Sequence, residues 1–576
     1  MPKMLITPDL TLYGALRKVI DEYPERPAVT FGDRTLTYRE LGEKVDALAR
    51  GLRSLGVGPD DKVAIILPNC FEMVYAFFAP SALGAVIVPL NPVYRQQEFA
   101  HILADSEAAV VIAEPKPRGN DVQGILQALK PSLPNLKHLI LRGEAAAGFT
   151  ALDDLEGGTE PLSPEAVSPD SLCALVYTSG TTGVPKAVMH SHRSMLSAVS
   201  QGEGKVKAMM NPLNLLRSVR QYGLRIVRAG LKQIVMLSPT PMHVLLGYSQ
   251  LLYGLLMGFR IVVAERFHPG KVLQLVEQER VSLLVVAPTQ LAALLNSRDL
   301  SKYDYSSLVY VGLGAAPVPP AMVRRARAVF KCPVIIGFGA TETGGGSLAT
   351  LASDAEVLQA ESVGRLFPGM EAKVVDEDRH ELPRRETGEL AVRMGSTMLG
   401  YWKAPELTAQ TIDKEGWYYT GDLATMDEAG YVRIVGRKKD MIIRGGQNVY
   451  PAEVEHHLMS KPGIQQVAVV GVPDPLAGES VWAFVVPQAG ATITPEDVWS
   501  YCRGELAPFK VPSQVRIVES LPMTATEKVR KFVLREAAVK EIEAAGAGAT
   551  AAQTMAAGTS AARPFSQPES EGETSS

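Results

Sequence analysis

Cysteine is scarce in this chain. Its 576 residues hold four (Cys70, Cys173, Cys332 and Cys502), far apart and with no CxxC pair. That excludes a disulfide framework and the usual zinc-ligand spacing, and it suits a reducing compartment. A strong charge of either sign is missing too: 58 Lys and Arg stand against 62 Asp and Glu, a net −4. Nothing in that balance calls for nucleic acid as a partner. The amino-terminal MPKMLITPDL lacks the basic stretch and apolar run of a secretion signal, so a cytoplasmic protein is expected. An uncharged stretch of membrane-like length, 73–90, is interrupted by Pro80, Gly84 and Pro89 and reads as buried helix, turn and strand.

What is present is an ordinary globular composition, 46% hydrophobic and 21% charged, in a chain too long for one core. PAVTF (27–31) and TLTY (35–38) flank Gly32-Asp33, a hairpin signal. Thr37-x-x-Glu40 is a capping box, opening an amphipathic run that Gly56 closes. KVAIILP (62–68), RIVVAE (260–265), SLLVVAP (282–288) and PVIIGFG (333–339) read as buried strands with helical stretches between them. The alternation predicts an α/β protein with largely parallel sheets. After about 365 the segments shorten and glycine turns multiply, as in a small β-rich lobe. A compact α+β unit then runs from about 440 to 540, with the boundary placed near Gly436–Asp440. The Ala, Gly, Ser, Thr and Pro-rich tail has almost nothing to bury and is expected to be disordered.

The most informative segment is Tyr177-Thr-Ser-Gly-Thr-Thr-Gly-Val-Pro-Lys186, directly after the apolar LCALVY. Hydroxyls and backbone N–H groups in a glycine-rich turn can donate to phosphate oxygens, and Lys186 adds a cation. It is not the Walker pattern. Four further segments follow: Gly337-Phe-Gly-Ala-Thr-Glu342, Tyr419-Thr-Gly-Asp-Leu423, Gly436-Arg-Lys-Lys-Asp440 running on through RGGQNVYPAEVE, and Thr524-Ala-Thr-Glu-Lys528. One such match arises by chance; five in order do not.

In that order the segments resemble the adenylate-forming superfamily of acyl-CoA synthetases, luciferases and peptide-synthetase adenylation domains, over residues ~10 to 540. The resemblance implies a large N-terminal domain (1–438) of two α/β subdomains plus a β-barrel. It also implies a small mobile α+β C-terminal domain (439–543), leaving 544–576 as the tail. It implies ATP, Mg²⁺ and coenzyme A as small-molecule partners, with a carboxylic acid as substrate. Thr178, Ser179, Gly180, Thr181, Thr182, Gly183 and Lys186 would hold the β- and γ-phosphates. Thr341 would donate to the α-phosphate, and Glu342 would hold Mg²⁺, a hard cation that takes carboxylate and phosphate oxygens together. Phe338, between Gly337 and Gly339, would stack on adenine with Gly314, Ala315, Ala316 and Pro317 on its other side. Asp422 would accept from the ribose hydroxyls, with Arg437 supporting that region. Lys528 would neutralise charge between the attacking carboxylate and the α-phosphate. Lys439 would be the hinge, and the glycines of Arg444-Gly445-Gly446 would let the backbone lie close to pantetheine.

One position departs from the family pattern: Glu527 stands where glycine is common before the lysine. Its carboxylate either points to solvent or competes for the Lys528 ammonium, and Lys531 is the fallback.

An amino-acid substrate would need an acidic pocket residue, and 234–264 holds none, so that reading is set aside. His243 matches a family position that gates the acyl pocket; a core histidine at a strand end is its other reading. Val244, Leu245, Leu246 and Tyr248 suggest an apolar wall, and Gly344-Gly345-Gly346 leaves room for a long chain or a ring. A medium- or long-chain fatty acid is the first expectation, with aromatic or alicyclic acids, or a carrier-protein thiol as acceptor, as alternatives. A non-catalytic binding protein is the reading outside enzymology, and the oligomeric state stays open, a homodimer included.

Residues 201–233 hold Lys205, Lys207, Arg217, Arg220, Arg225, Arg228 and Lys232 against one acid, Glu203. Leu213, Leu216, Val219, Ile226, Val227 and Leu231 interleave with them at roughly helical spacing. The segment is either a basic amphipathic element for an anionic membrane or a lid helix packed on the domain.

Overall fold

The computed structural model describes residues 5–144, 146–155, 162–178, 185–223, 232–316, 318–503, 505–524 and 528–543, without the side chains of 203–210. The tail that was expected to be disordered, the loop residues Ser179, Gly180, Thr181, Thr182 and Gly183, Pro317 and Glu527 lie outside them. The chain forms two compact units. The first runs to Lys439 and takes in 524–528; the second is 440–523 with the chain from Val529 on.

The start of the chain shows how local chemistry sets the elements. Pro27–Phe31 and Arg34–Thr37 pair as an antiparallel hairpin with Gly32 at φ 61°. Thr37 and Glu40 then cap the Tyr38–Ser54 helix reciprocally: the Thr37 N–H donates to Glu40 Oε2 (2.7 Å), and the Glu40 N–H donates to Thr37 Oγ1 (3.2 Å). The 73–90 stretch is a helix (Phe71–Phe78), a short 3₁₀ turn ended by Gly84 at φ 68°, and a fully buried strand (Val86–Pro89).

Two large sheets build the first unit. The eight-stranded sheet runs Gly400–Tyr401, Lys186–Ser191, Leu172–Thr178, Val86–Pro89, Lys62–Ile66, Ala108–Ala113, His138–Leu141, Thr150–Ala151. It is parallel except where Lys186–Ser191 pairs antiparallel with both its neighbours. The nine-stranded sheet is parallel from Val334–Ala340 through Tyr310–Leu313, Leu283–Val286, Val235–Leu237 and Arg260–Val263 to Pro27–Phe31, with antiparallel strands at both edges. Strands buried on both faces read as unbroken apolar runs, the signal that marked them in the sequence. One core joins both sheets: Val63, Ile65 and Ile87 of one and Val29, Ile261 and Leu283 of the other share it with the helices Leu12–Glu22, Tyr38–Ser54 and Leu245–Leu256. Where a β-barrel was expected, the described residues form a four-stranded antiparallel sheet, Glu371–Val375, Gly388–Arg393, Tyr418–Met426 and Val432–Arg437.

The second unit is a five-stranded sheet built on the long antiparallel pair Ile464–Asp474 and Gly478–Pro487, with helices Pro451–Met459 and Pro495–Arg503. All four cysteines are buried, and none forms a disulfide. No helix among the described residues is long and apolar enough to cross a membrane.

The basic segment corrects its expected pattern. The Pro212–Tyr222 helix turns Ser218 inward with partial cover of Leu215, Val219 and Tyr222, whose hydroxyl accepts from Arg327 Nη2 (2.7 Å). Leu213 and Leu216 do not share the packed face with Val219. They are 68% and 66% exposed, in one stripe with Arg217 and Arg220. The spacing i, i+3, i+4, i+7 puts those four on one side. Arg225, Arg228, Ile226, Val227 and Leu231 lie outside the described residues.

Candidate active site

Three of the sequence-picked segments follow parallel strands of the nine-stranded sheet. His243 comes after Val235–Leu237, Gly314–Ala316 after Tyr310–Leu313, and Thr341–Thr343 after Val334–Ala340. Parallel strands bring their carboxyl ends to one edge, where open α/β sheets hold ligands. Ala315, at φ 74°, is a non-glycine residue in the left-handed region, and it is exposed together with Ala316. Phe338 is half-buried against the core of the four-stranded sheet. Gly339 has to be glycine: a Cβ there would come within 1.9 Å of the Gly345 carbonyl oxygen, across the hairpin formed by Val334–Ala340 and Gly345–Ala349. Gly337 lies on the same strand.

The 3₁₀ turn Thr341–Thr343 caps itself, with the Ala340 N–H donating to Thr343 Oγ1 (3.0 Å). It is also held from the other sheet. His190 Nε2 lies 2.7 Å from the Thr341 carbonyl oxygen, the Met398 N–H donates to the Glu342 carbonyl (2.8 Å), and the Tyr401 hydroxyl donates to Glu342 Oε1 (2.8 Å). Sequence reasoning missed His190 and Tyr401. Both sit in antiparallel strands that the sequence left unpaired, and only the pairing of Tyr401 with Val188 brings them together.

Thr178 and Lys186 are Cα partners at the mouth of the hairpin whose connecting residues 179–184 are not described. The anchors beside it are visible: the Tyr177 hydroxyl donates to Asp105 Oδ2 (2.6 Å), and His101 Nε2 lies 3.3 Å from the Pro185 carbonyl.

Asp422 and Arg437 face each other across two antiparallel strands, and Arg437 Nε lies 2.7 Å from Asp422 Oδ1. Burial holds the Asp422 carboxyl above the usual aspartate range, against the pull of Arg437 and Lys528, while Glu342 pushes the same way as burial. Lys528 closes a tight turn: the Thr524 N–H donates to its carbonyl (2.7 Å), and its own N–H donates to Thr524 Oγ1 (3.0 Å). Desolvation lowers its ammonium pKa, Arg437 lowers it further, and Asp422 and Glu342 oppose them. The side chain is open to water at its surface although protein rings it further out, so the opening screens part of that effect. Lys531, the fallback, is committed elsewhere, 2.7 Å from Glu455 in the second unit.

Lys439 lies in the 3₁₀ turn Lys438–Asp440. Gly445 and Gly446, at φ 58° and 77°, form the two-residue link between Ile442–Arg444 and Gln447–Val449, a turn with positive φ at both positions that glycine makes without strain.

His243 is enclosed, and burial followed by the charge of Arg118 pushes its pKa down to about 3, so the ring is neutral. Its Nε2 and the Tyr248 hydroxyl are buried without a hydrogen-bond partner among the described residues. Asn69, from the end of the Lys62–Ile66 strand, clips this loop: its Nδ2 donates to the carbonyls of Thr240 (3.1 Å) and Ala264 (3.0 Å), and its Oδ1 accepts from the Met242 N–H (2.8 Å). The first turn of the Leu245–Leu256 helix borders the glycines. A Cβ on Gly345 would lie 3.8 Å from Ser249 Cβ, and one on Gly314 would lie 3.8 Å from Leu246 Cδ1.

The described residues contain no cluster of three or more His, Cys, Asp or Glu that could hold a metal ion. That donor set rules out an all-protein cage there but fits magnesium, which keeps waters and takes one carboxylate together with substrate phosphates. Glu342 fits that part, with Oε1 oriented by Tyr401.

Residues 16–402 match the family model of the AMP-binding enzyme, and 453–528 match that of the AMP-binding enzyme C-terminal domain. The chain is 35% identical over 539 residues to a 3-[(3aS,4S,7aS)-7a-methyl-1,5-dioxo-octahydro-1H-inden-4-yl]propanoyl:CoA ligase of Rhodococcus jostii (strain RHA1), covering 91% of this chain and 98% of the relative. It is 31% identical over 553 residues to the mitochondrial medium-chain acyl-CoA ligase of Homo sapiens, covering 91% and 87%. Among solved structures, it is similar to an anthranilate CoA ligase in complex with anthranoyl-AMP, with a TM-score of 0.82, 25% identity and coverage of 93% and 99%.

Proposed function

The chain belongs to the AMP-binding enzymes, the adenylate-forming acyl-CoA ligases, and from that premise we propose that it activates a medium- or long-chain fatty acid for transfer to coenzyme A. The acid's carboxylate oxygen attacks the α-phosphorus of ATP and pyrophosphate leaves. The CoA sulfur then attacks the acyl carbonyl and AMP leaves, giving the thioester.

The observation that carries this reading is the meeting, within one unit, of the Thr341–Glu342 turn, the Asp422–Arg437 pair and Lys528, whose charges act on one another. An anion must approach a polyanion in the first step, and fixed positive charge aimed at the developing charge is the physical solution. In this reading Lys528 supplies it, Thr341 donates to the α-phosphate, and Thr178, Lys186 and the residues between them hold the outer phosphates. Asp422 receives the ribose hydroxyls beside Arg437, and Phe338 with Gly314–Ala316 brackets the adenine. Glu342 holds magnesium, which when bound offsets phosphate charge.

The acyl group lies along Leu246, Tyr248 and Ser249, facing the glycines at 344–346, with neutral His243 at its entrance. A second reading, an alicyclic keto acid, is favoured by the unpartnered Tyr248 hydroxyl and His243 Nε2, which a ring carbonyl or hydroxyl could engage. The same reading places the enzyme in the cytoplasm, with the exposed Leu213, Leu216, Arg217 and Arg220 stripe against an anionic membrane face.

Acid-dependent exchange of pyrophosphate into ATP tests the first step, and an AMP-release screen over fatty, aromatic and alicyclic acids with CoA tests the rest. Exchange with no acid in that panel would overturn the proposal; CoA-dependent turnover of a fatty acid is the result expected.

A further inference from the structure

The Thr341–Glu342 turn lies at the end of one sheet, but its hold comes from the other. The Thr341 carbonyl oxygen accepts twice, from the Gly344 N–H (3.1 Å) and from His190 (2.7 Å). A carbonyl only accepts, so His190 Nε2 carries the hydrogen. His190 is fully buried, and its Nδ1 lies 3.1 Å from the Ser194 hydroxyl. Its ring also borders Gly344, where a Cβ would lie 3.5 Å from His190 Cε1.

Tyr401 completes the arrangement. Its strand pairs antiparallel with Lys186–Ser191, Tyr401 opposite Val188. Its backbone is fixed by the N–H donating to Thr408 Oγ1 (2.9 Å), and its hydroxyl reaches Glu342 Oε1. One strand, Lys186–Ser191, therefore carries the end of the phosphate loop, the histidine that fixes the Thr341 peptide, and the partner of the strand that aims the Glu342 carboxylate.

We infer that His190 and Tyr401 are positioning residues that set the Thr341–Glu342 turn for metal-bound ATP. They act through the turn and touch no reacting atom. The inference rests on the assignment of Glu342 to magnesium made above. Groups that orient a metal ligand change metal affinity or activity by roughly 10- to 100-fold when removed, and small displacements of a positioned group have effects of similar size.

The test measures ATP binding by calorimetry without any acid substrate, across a magnesium series and in EDTA. Tyr401→Phe is expected to raise the magnesium concentration needed for half-maximal tightening by roughly tenfold, with metal-free ATP binding unchanged. His190→Leu is expected to do the same, while His190→Gln, whose side-chain N–H can reach the same carbonyl, stays close to wild type. A Tyr401→Phe protein that responds to magnesium as wild type does would overturn the Tyr401 role. Equal behaviour of the Leu and Gln variants would reduce His190 to a space filler and overturn its role. If His190→Leu does not fold, Tyr401→Phe and His190→Gln still decide. A wild-type protein whose ATP affinity ignores magnesium overturns the inference with the Glu342 assignment. The pyrophosphate exchange assay judges the proposed reaction separately.

Discussion

Arg437 and Asp422 are cross-strand partners, with the guanidinium Nε 2.7 Å from Oδ1 of a carboxylate that is otherwise buried. The ion pair does not fully offset the burial, because the carboxyl pKa stays raised. A carboxyl whose folded pKa lies above its unfolded one favours folding while protonated and loses that contribution as pH rises through the folded value. Its charge is therefore a liability to stability at neutral pH, which the proposed contact with the ribose hydroxyls would account for.

Asp422→Asn should separate the two effects. We expect a melting temperature at pH 7–8 equal to or above wild type, with the difference shrinking toward pH 4 as the wild-type carboxyl protonates. ATP-dependent exchange should fall steeply in the same variant. A melting temperature well below wild type at neutral pH would mean that the Arg437 pair outweighs the burial.

Lys528→Ala should abolish formation of the adenylate but largely spare thioester formation from supplied acyl-AMP. A thousandfold loss corresponds to about 4 kcal/mol of transition-state stabilisation. Single-turnover assays of each half-reaction check this. Equal losses in both would point to a structural role.

Much of the fold was legible because buried parallel strands and capped helices leave strong local marks. Thr37 and Glu40 announce a helix start, and KVAIILP announces a strand. Thr341, Glu342 and Asp422 were picked from motif order. His190 and Tyr401 were not, since their meaning arises from pairing between residues 188 and 401 that no local pattern encodes. Asn69 escaped for the same reason, as its partners are 171 and 195 residues away. The basic segment is a different case: an apolar residue at helical spacing says that a face exists, not which face is buried, and Leu213 and Leu216 are exposed.

The glycines around the acyl wall divide by what a Cβ would meet. At Gly339 it would lie 1.9 Å from the Gly345 oxygen, so Gly339→Ala should give little folded protein. At Gly314 and Gly346 the nearest atoms are 3.5 and 4.0 Å away, so alanine fits at both. Gly314→Ala and Gly346→Ala should fold, and their acid profile should shift toward smaller substrates in the AMP-release screen. An unchanged profile would place the acyl group elsewhere.

The exposed stripe on the Pro212–Tyr222 helix, which carries no acidic residue, makes a separate claim. Wild-type protein should sediment with phosphatidylglycerol-containing vesicles at low salt and release as salt screens the arginines. Arg217→Gln with Arg220→Gln should weaken this, and Leu213→Glu should weaken it further without changing soluble activity. Indifference of the wild type to such vesicles at low salt ends the membrane reading.

The last prediction concerns Lys439. The two compact units part directly after it, within the short turn Lys438–Asp440. In the proposed reaction, adenylation needs Lys528 beside the α-phosphate, whereas thioester formation needs room for a pantetheine thiol at the acyl carbonyl. One arrangement does not readily serve both, so we propose that the smaller unit turns about Lys439 between the half-reactions and carries with it 524–528, the segment its chain flanks on both sides. Hinges are a few residues that absorb large changes in φ and ψ. Proline holds φ near −65° and restricts the residue before it as well, which would remove that freedom at Lys438 and Lys439 together. Lys439→Pro should therefore retain adenylate formation and lose thioester formation from acyl-AMP. The Gly445–Gly446 turn, with positive φ at both residues, would in this reading no longer reach pantetheine. Single-turnover kinetics of both steps in the same preparation decide the matter: a variant that forms thioester at the wild-type rate would refute the rotation, and loss of both steps would trace the defect to the adenylation arrangement.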